Sequence, residues 1–293
     1  MKIILTGASG YLGSKLATEL LESGYDVFLL LRHSSKLGRF DCKAFNLKCG
    51  RYVTDADIAD FVTEIRPDIV IHTACSYGRT DETPLQMYDA NLRFGLSILQ
   101  ALDELQSPAT FINSGTVLQP DINLYALTKN QFSTIGRALS LRSDSAIRFI
   151  NVSLQHMYGP GDDTSKFTTY VMHGCQSSIP EILLTAGEQQ RDLIYIDDVV
   201  SAFVTIAENH HQFEITENIE VGTGAAPTIR TFVETVHRLT NSATKLQFGA
   251  LPYREKEAML CIADITKMRS LGWRPQYDIE AGIAKAIEED FAQ

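Results

Sequence analysis

The chain has 293 residues, of which 44% are hydrophobic and 21% charged, a composition typical of a soluble protein with a sizeable core. Lysine and arginine number 26 against 36 aspartates and glutamates, so the formal charge is −10 and general nucleic-acid binding is not expected. No apolar run has the length of a membrane span, and the N-terminus lacks the pattern of a signal peptide. We therefore expect a cytoplasmic location, with no membrane and no nucleic acid as a partner.

The cysteines favour free thiols in a reducing compartment. Their number is odd and no two of them form a CxxC pair, which argues against a disulfide framework and against a zinc site. We therefore expect no bound metal. The five residues are Cys42, Cys49, Cys75, Cys175 and Cys261.

Strand-like and helix-like segments alternate along the first half of the chain. Apolar strands are predicted at residues 2–6, 26–31, 68–72, 109–113 and 146–150, with a further short strand around residues 45–47. Helices are predicted at residues 11–23, 57–65, 91–105 and 124–141. Continuous apolar strands separated by helices predict an α/β fold, a Rossmann-type doubly wound parallel sheet covered on both faces.

The second half of the chain has more turns and predicts a smaller C-terminal lobe. A helix is predicted at residues 197–209, capped by Asp197 or Asp198. We expect a dinucleotide-binding domain at residues 1–151 and a substrate lobe at residues 152–293, with residues 192–222 returning to the first domain. Ligands of such a sheet lie at the carboxyl ends of its strands.

A glycine motif follows the first strand and opens the first helix. Residues 6–13 read TGASGYLG, so the glycines have the spacing GxxGxxG. The first glycine allows a tight turn, the second lets a diphosphate approach the helix N-terminus, and the third allows close packing of the helix. We expect the loop to bind a dinucleotide through Gly7, Ser9, Gly10, Tyr11, Leu12 and Gly13.

The end of the second strand indicates which dinucleotide is bound. An acidic residue at this point would hydrogen-bond the ribose hydroxyls of NAD. Here the chain has Arg32, His33 and Ser34 instead. A guanidinium next to hydroxyl groups suits a 2′-phosphate, so NADP (NADPH) is the expected cofactor, although an arginine at a strand end is also compatible with a simple solvated residue.

A YxxxK motif lies within the predicted helix 124–141. Tyr125 and Lys129 are four residues apart and therefore share one helix face. The ammonium can approach both the phenol and a cofactor ribose, and its charge should lower the phenol pKa from about 10 toward neutrality. Tyr125 would then be a general acid that protonates an alkoxide.

These segments together resemble the extended short-chain dehydrogenase/reductase family, in its branch that modifies nucleotide sugars. TGASGYLG, YALTK, HMYGPG and GEQQRDLIYIDD carry the resemblance, which extends over almost the whole chain. SGTVLQP resembles the family segment that carries the catalytic hydroxyl, which implies that role for Ser114, with Thr116 as the second candidate. Ala74, in HTA, is implied to lie along the cofactor, whereas His72 is either a cofactor neighbour or a packed histidine.

The resemblance also implies residues that hold the substrate. His156 occupies the position of an asparagine that contacts the substrate diphosphate, and Lys166 begins the helix before the nucleotide pocket. Arg191 and Arg254 occupy the positions of two arginines that clamp the diphosphate. Asn91 corresponds to the first residue of an N-x-x-G stretch, but here Gly95 comes one residue late.

The expected activity is NADPH-dependent reduction of the C4 keto group of a nucleotide-linked 4-keto-deoxyhexose, CDP-linked in the branch that the sequence resembles. This chemistry belongs to deoxysugar biosynthesis for surface polysaccharide such as O-antigen. The absence of Asp-Glu after Ser114 argues against a dehydratase. An NAD-dependent nucleotide-sugar epimerase and a non-catalytic nucleotide-sensing protein remain as alternatives. Homodimers are common in the family, so a homodimer through the helices 91–105 and 124–141 is expected.

Overall fold

The strands and helices come from a computed structural model, which describes residues 1–39, 48–79 and 81–291. Within these residues the strands are, in chain order, β1 (Lys2–Thr6), β2 (Asp26–Arg32), β3 (Lys48–Tyr52), β4 (Ile69–His72), β5 (Ala109–Ser114), β6 (Ile147–Leu154), β7 (His156–Tyr158), β8 (Glu181–Leu183), β9 (Gln190–Arg191), β10 (Leu193–Tyr195), β11 (Thr216–Val221), β12 (Lys245–Gln247) and β13 (Leu260–Cys261).

The helices of the same residues are α1 (Tyr11–Glu22), α2 (Asp55–Ile65), α3 (Pro84–Tyr88), α4 (Phe94–Leu105), α5 (Leu124–Ser140), α6 (Phe167–Gln176), α7 (Ile196–Glu208), α8 (Ile229–Leu239), α9 (Thr266–Ser270) and α10 (Ile279–Phe291). A π-helical turn, Asp89–Arg93, joins α3 to α4. None of the helices in the described part of the chain is both long enough and apolar enough to cross a membrane.

The main sheet has seven strands in the order β11-β6-β5-β4-β1-β2-β3. The pairs from β3 to β6 are all parallel. The chain reverses its direction of winding between β1 and β4, which makes their carboxyl ends the switch point at which such sheets bind ligands. The predicted Rossmann-type doubly wound fold is confirmed.

The core of this sheet explains why the apolar runs fold as strands. β4 is buried along its whole length, and Ile3, Ile4 and Leu5 of β1 have no exposed surface. A strand covered by helices on both faces has no side that can be polar, so its sequence is a continuous apolar run.

Some boundaries differ from the predicted ones. α2 begins at Asp55 because Thr54 and Asp57 form a capping box, in which the Thr54 hydroxyl accepts from the Asp57 amide at 3.3 Å and the Asp57 carboxylate accepts from the Thr54 amide at 2.7 Å. α3 and β11 were not predicted. The strand predicted at residues 45–47 lies outside the described residues, as does Cys42.

The two carboxylates predicted to cap α7 lie in its first turn, because the helix begins at Ile196. The Asp198 carboxylate accepts from the backbone amides of Gln276 and Tyr277, at 2.8 and 3.1 Å, and Asp197 accepts from the Lys285 ammonium at 2.8 Å. Both carboxylates therefore fasten later segments of the chain onto the first turn of the helix. Acidic residues in a first turn also interact favourably with the helix dipole.

The chain forms two units. Unit 1 contains Met1–Ser153 and Val200–Ile219, and unit 2 contains Leu154–Val199 and Glu220–Gln293. Unit 1 holds the main sheet, except for the last residues of β6 and β11. Unit 2 holds three two-stranded parallel sheets, which pair β7 with β10, β8 with β12 and β9 with β13.

Candidate active site

The three glycines of the first loop are required for different reasons. Gly7 has a φ of +74°, and a Cβ on it would lie 2.6 Å from the Ala74 amide nitrogen at the end of β4. A Cβ on Gly13 would overlap the backbone of the same turn, 2.9 Å from the Ala8 nitrogen. Gly7 and Gly13 thus keep the loop tight against β4 and α1, as a dinucleotide-binding turn requires.

Gly10 is the N-cap of α1, and the start of this helix suits an anion. No side chain caps the helix, and its first turn contains no acidic residue. The first amides of a helix have no partner within it, and the helix dipole favours negative charge there. The residues present therefore fit the diphosphate of a dinucleotide, with Ser9, Tyr11 and Leu12 in the same turn.

Arg51 organises the loop that follows β2, and the sequence did not reveal this residue. Its guanidinium donates to the carbonyls of Arg32, His33 and Ser35, at 3.3, 2.9 and 3.0 Å. Arg32, His33 and Ser34 are all exposed. The loop that is expected to bind the 2′-phosphate is thus held by its backbone, and its side chains remain available to a ligand.

His72 is a packed histidine. It has no exposed surface, its Nδ1 lies 2.9 Å from the Thr6 hydroxyl, and aromatic rings of Phe94, Phe111 and Phe132 surround it. Burial holds the pKa of its imidazole well below the ordinary value, and the nearby Lys129 charge lowers it further. The Thr6 hydroxyl also accepts from the Ala74 amide at 3.3 Å. His72 therefore supports the turn at Ala74 from behind.

The π-helical turn explains the late glycine of the N-x-x-G stretch. Asn91 lies in this turn and is buried, and a Cβ on Gly95 would lie 3.2 Å from the His72 ring. One extra residue in a helix is accommodated by a π turn without changing the faces on either side of it. Asn91 can then accept from the Ser76 amide at 2.7 Å and donate to the Thr128 hydroxyl at 2.9 Å.

Tyr125 lies on α5 among polar groups from two loops. Thr116 and Tyr77 are the hydrogen-bonding neighbours that act on the pKa of its phenol, and its ring is stacked on that of Tyr77 with centroids 4.8 Å apart. Burial raises the pKa of the phenol above its ordinary value and the charge of Cys75 raises it further, whereas both hydrogen bonds and the charge of Arg79 act against them.

The expected lowering of the Tyr125 pKa toward neutrality is therefore wrong in this structure. The phenolate loses its hydration when the side chain is buried, and this loss outweighs the favourable contacts. A phenol with a raised pKa holds its proton firmly until a strong base, such as an alkoxide, forms beside it. A raised pKa of the Tyr125 phenol is therefore compatible with a role as a general acid.

Lys129 is 2% exposed and lies one helical turn after Tyr125. Its ammonium has no hydrogen bond or ion pair with another described residue, and burial lowers its pKa, with an opposite contribution from Cys75. A buried ammonium without a partner is costly and is retained where a ligand completes its contacts. Lys129 therefore fits the sugar hydroxyls of a bound dinucleotide.

The hydroxyl that reaches Tyr125 is that of Thr116. Ser114 ends β5 and is half-buried, and its hydroxyl has no hydrogen bond with another described residue. Two hydrogen bonds hold the segment that carries both hydroxyls. The Gly115 backbone amide donates to the Val152 carbonyl at 2.7 Å, and the side-chain amide of Asn130, on α5, donates to the Leu118 carbonyl at 3.0 Å. The sequence did not reveal Asn130, because only the fold brings these two segments together.

Unit 2 contains the residues that were expected to hold the substrate. The Nδ1 atom of His156 is buried and has no hydrogen-bond partner among the described residues, and the pKa of the imidazole is lowered to about 4 by burial and by the charges of Arg191 and Lys166. Arg191 is 9% exposed. An imidazole without a partner beside two cations is a suitable environment for an anion.

Both of these cations have a carboxylate partner. The Lys166 ammonium lies 2.8 Å from Asp162, whose side chain is 2% exposed, and Arg191 is ion-paired with Glu257. Arg254 is exposed in the turn that ends at Glu257. Within the described part of this turn, Glu257 is the residue that contacts Arg191. That Arg254 binds the substrate diphosphate remains a prediction.

Asp192, next to Arg191, has a structural role that the sequence did not reveal. Its buried carboxylate accepts from the amides of Thr223, Gly224 and Ala263, at 2.7, 3.0 and 3.2 Å. A carboxylate that accepts several backbone amides ties loops together. Arg191 is thus a candidate site residue, and its neighbour Asp192 holds loops of unit 2 together.

Comparison with known proteins agrees with this arrangement. The chain is similar to the CDP-abequose synthase of Salmonella typhimurium, with 29% identity over 98% of this chain and 97% of that protein. It is also similar to the UDP-glucose 4-epimerase of Lactobacillus helveticus, with 26% identity over 95% of this chain and 93% of that protein. The solved structure of the UDP-glucose 4-epimerase of Thermotoga maritima with UDP-glucose covers 99% of this chain and 98% of its own, with a TM-score of 0.82 and 21% identity.

The model of the NAD dependent epimerase/dehydratase family matches residues 3–222 of the chain. The chain therefore belongs to that family. The tyrosine and lysine of α5, the glycine turn and the open start of α1 are the parts that such an enzyme needs. The protein is accordingly an NAD(P)-dependent enzyme of the oxidoreductase type.

Proposed function

We propose that the protein is a reductase that converts the C4 keto group of a nucleotide-linked 4-keto-deoxyhexose into an alcohol, with NADPH as the cofactor. The observation that carries this proposal is the end of β2. There Arg32, His33 and Ser34 are exposed in a loop whose carbonyls are held by Arg51, and no carboxylate occupies the position that would bind the ribose of NAD. A cofactor that is used for net reduction in cells is commonly NADPH, so this preference favours a reductase.

The residues of unit 1 have separate roles in this reaction. NADPH, when bound, supplies a hydride to C4 of the sugar. Tyr125 gives its proton to the C4 oxygen, and the hydroxyls of Thr116 and Ser114 are candidates to orient that oxygen and stabilise its negative charge. The Lys129 ammonium holds the cofactor ribose and keeps positive charge beside the phenol.

The substrate class is supported by unit 2 and by the relatives. His156, Lys166 and Arg191 combine an imidazole without a hydrogen-bond partner with two cations, which suits a diphosphate. Arg254 is proposed as a further contact. The CDP-abequose synthase of Salmonella typhimurium supports a CDP-linked deoxysugar as the first substrate to test, and with it a place in deoxysugar biosynthesis for surface polysaccharide.

An NAD-dependent epimerase is the second candidate. UDP-glucose 4-epimerases are among the relatives and share the full length of the fold. An epimerase returns its cofactor unchanged, whereas a reductase consumes one NADPH for each sugar. A non-catalytic nucleotide-sensing protein would have no turnover, and the complete set of Ser114, Tyr125 and Lys129, with Thr116 as the second hydroxyl, argues against it.

The test is the loss of NADPH absorbance when a 4-keto-6-deoxy or 4-keto-3,6-dideoxy sugar linked to CDP is added. Sugars linked to dTDP and GDP, and NADH in place of NADPH, are the comparisons. We expect rapid oxidation with the CDP-linked sugar. If no sugar oxidises NADPH, and saturated nucleotide sugars are epimerised with NAD, the reductase proposal is rejected.

Tyr125→Phe provides the first control. Removal of a general acid lowers kcat by about 10²- to 10⁴-fold. Tyr88, which is 46% exposed at the end of α3, provides the matched variant Tyr88→Phe, which we expect to behave as the wild type. Equal losses in both variants would contradict the role of Tyr125.

A further inference from the structure

The segment between Cys75 and Arg79, which follows β4, lies directly against Tyr125, and the roles described above do not use it. The rings of Tyr77 and Tyr125 are stacked with centroids 4.8 Å apart and an interplanar angle of 27°, and the Tyr77 side chain acts to lower the pKa of Tyr125. Tyr77 is 38% exposed, and Tyr125 is half-buried. The stack therefore continues from the half-buried Tyr125 to a more exposed side chain.

Arg79 adds a positive charge to this pair. Its guanidinium carbon lies 5.2 Å from the centroid of the Tyr77 ring, the distance of a cation–π contact. The same charge favours negative charge on Tyr125. Gly78 separates the two residues with a φ of +67°, so the tight turn that places both of them on one side requires a glycine.

The segment is anchored where it leaves β4. The Ser76 amide donates to the Asn91 side chain at 2.7 Å, and the Asn91 amide donates to the Ser76 carbonyl at 3.0 Å. Asn91 also donates to Thr128 of α5, which lies between Tyr125 and Lys129 in the sequence. The loop and the catalytic helix are thus fastened to the same side chain, which fixes the position of Tyr77 relative to Tyr125.

We propose that Tyr77 is a second catalytic tyrosine, whose phenol donates to the Tyr125 oxygen and returns a proton to it, with Arg79 as its positioning residue. This inference rests on the proposed function, since it assigns the source of the proton that the reduction consumes.

The proton balance of the step is complete. The Tyr125 O–H bond breaks and its proton forms the new O–H bond at C4 of the sugar. The Tyr125 phenolate takes the proton of Tyr77, and the Tyr77 phenolate, beside Arg79, takes one from solvent. One proton is consumed for each sugar, no bond between heavy atoms changes, and transfer between two phenols needs little driving force.

Rates test the proton return. Tyr77→Phe keeps the ring stack and removes the hydroxyl, so kcat should fall by about 10- to 100-fold, the value of a hydrogen bond to a charged group. The KM for NADPH should remain unchanged, and the solvent isotope effect on kcat should increase. Tyr88→Phe is the matched control and should change none of these values.

A second measurement does not depend on turnover. A difluorinated tyrosine is placed at position 125, where its lower pKa allows titration of the folded protein by fluorine NMR. The groups that face this phenol are Cys75, Tyr77, Arg79 and Thr116, and Lys129 lies on its own helix. In the Tyr77→Phe background the midpoint should rise by about one to two pH units, because a hydrogen bond to the phenolate is lost.

The outcomes separate the two proposals. If the wild type oxidises NADPH but Tyr77→Phe changes neither kcat nor the titration midpoint, the inference about Tyr77 is overturned and the reductase proposal stands. A shifted midpoint with an unchanged kcat also overturns the proton return. If the wild type has no activity with any sugar, the reductase proposal fails, and with it the proton return, whereas a shifted midpoint would still support the hydrogen bond.

Discussion

Both units bury cations, but they treat the charge differently. In unit 1, Lys129 is almost completely buried and has no carboxylate partner in the described part of the chain. In unit 2, Arg191 is 9% exposed and Lys166 is half-buried, and each is paired with a carboxylate, Glu257 or Asp162. An unpaired buried charge lowers stability, whereas a paired one is stable until a partner is removed.

The presence or absence of a carboxylate partner indicates different roles for the cations of the two units. We propose that the charge of Lys129 acts on the reacting groups, because no carboxylate among the described residues neutralises it. The cations of unit 2 are neutralised, so an anionic ligand has to exchange with Glu257 or Asp162. On this proposal, the charge of unit 1 serves the reaction, and the cations of unit 2 serve to bind an anion by exchange.

The largest expected effect comes from Lys129→Met. The rate should fall by about 10²- to 10⁴-fold, as for the loss of any group in the proton-transfer machinery. The free energy of unfolding should increase by about 1 kcal/mol, because an apolar side chain of similar length replaces an unpaired buried charge. Steady-state rates and urea unfolding measure the two effects.

A Lys129→Met variant that is less stable than the wild type at neutral pH would contradict this difference between the two units. That result would mean that the ammonium is already satisfied in the free protein.

Lys166→Met is the matched variant in unit 2 and should have the opposite effect on stability. It leaves Asp162 buried without its partner, which should lower the free energy of unfolding by about 3 kcal/mol at neutral pH. Burial raises the pKa of Asp162. The loss should become smaller as the pH falls through that pKa, since the carboxylate is then neutral in the folded state. Urea unfolding between acid and neutral pH measures both effects, and a loss that is independent of pH would contradict this account.

Arg32→Asp tests the choice of cofactor at the end of β2. The substitution removes a charge-assisted contact to a 2′-phosphate and introduces an acceptor for ribose hydroxyls, so the preference for NADPH over NADH should fall by about 10- to 100-fold. The ratio of kcat/KM for the two cofactors measures this preference. Arg269→Asp, at an exposed arginine of α9, is the charge control. An unchanged ratio in Arg32→Asp would show that Arg32 is only a solvated residue.

His156→Asn should have the smallest effect. The folded pKa of about 4 lies below the unfolded value, so the neutral imidazole contributes stability above the unfolded pKa, and this contribution is lost as the pH falls from about 6.5 toward 4. The wild type should lose about 1 kcal/mol between about pH 7 and pH 5.5 from this residue, and the variant should not. Parallel pH profiles of unfolding for the two proteins would contradict the burial of His156.

The sequence predicted the parts of the molecule that depend on local pattern. The alternation of apolar strands with helices was sufficient for the main sheet, and TGASGYLG and YALTK were sufficient for the glycine turn and the catalytic helix. These features could be predicted because each is determined by residues within a short stretch of the sequence.

Other features could not be predicted because they depend on contacts between distant segments. Arg51 reaches the loop after β2 only when β3 pairs with β2. Tyr77 and Tyr125 are 48 positions apart in the sequence and meet only in the folded unit. The pKa of Tyr125 had the wrong sign because the YxxxK spacing shows a nearby charge but not the burial that outweighs it. The extra residue before Gly95 was visible, but the π turn that accommodates it was not.

The most direct test of the central claim is the fate of a deuterium label. NADPH that carries deuterium at the transferable position is incubated with the protein and a CDP-linked 4-keto-deoxysugar, and the product is examined by mass spectrometry and NMR. The reductase account predicts one deuterium at C4 of each sugar and one oxidised cofactor for each product molecule. A product without deuterium, formed while the cofactor remains unchanged, would contradict it.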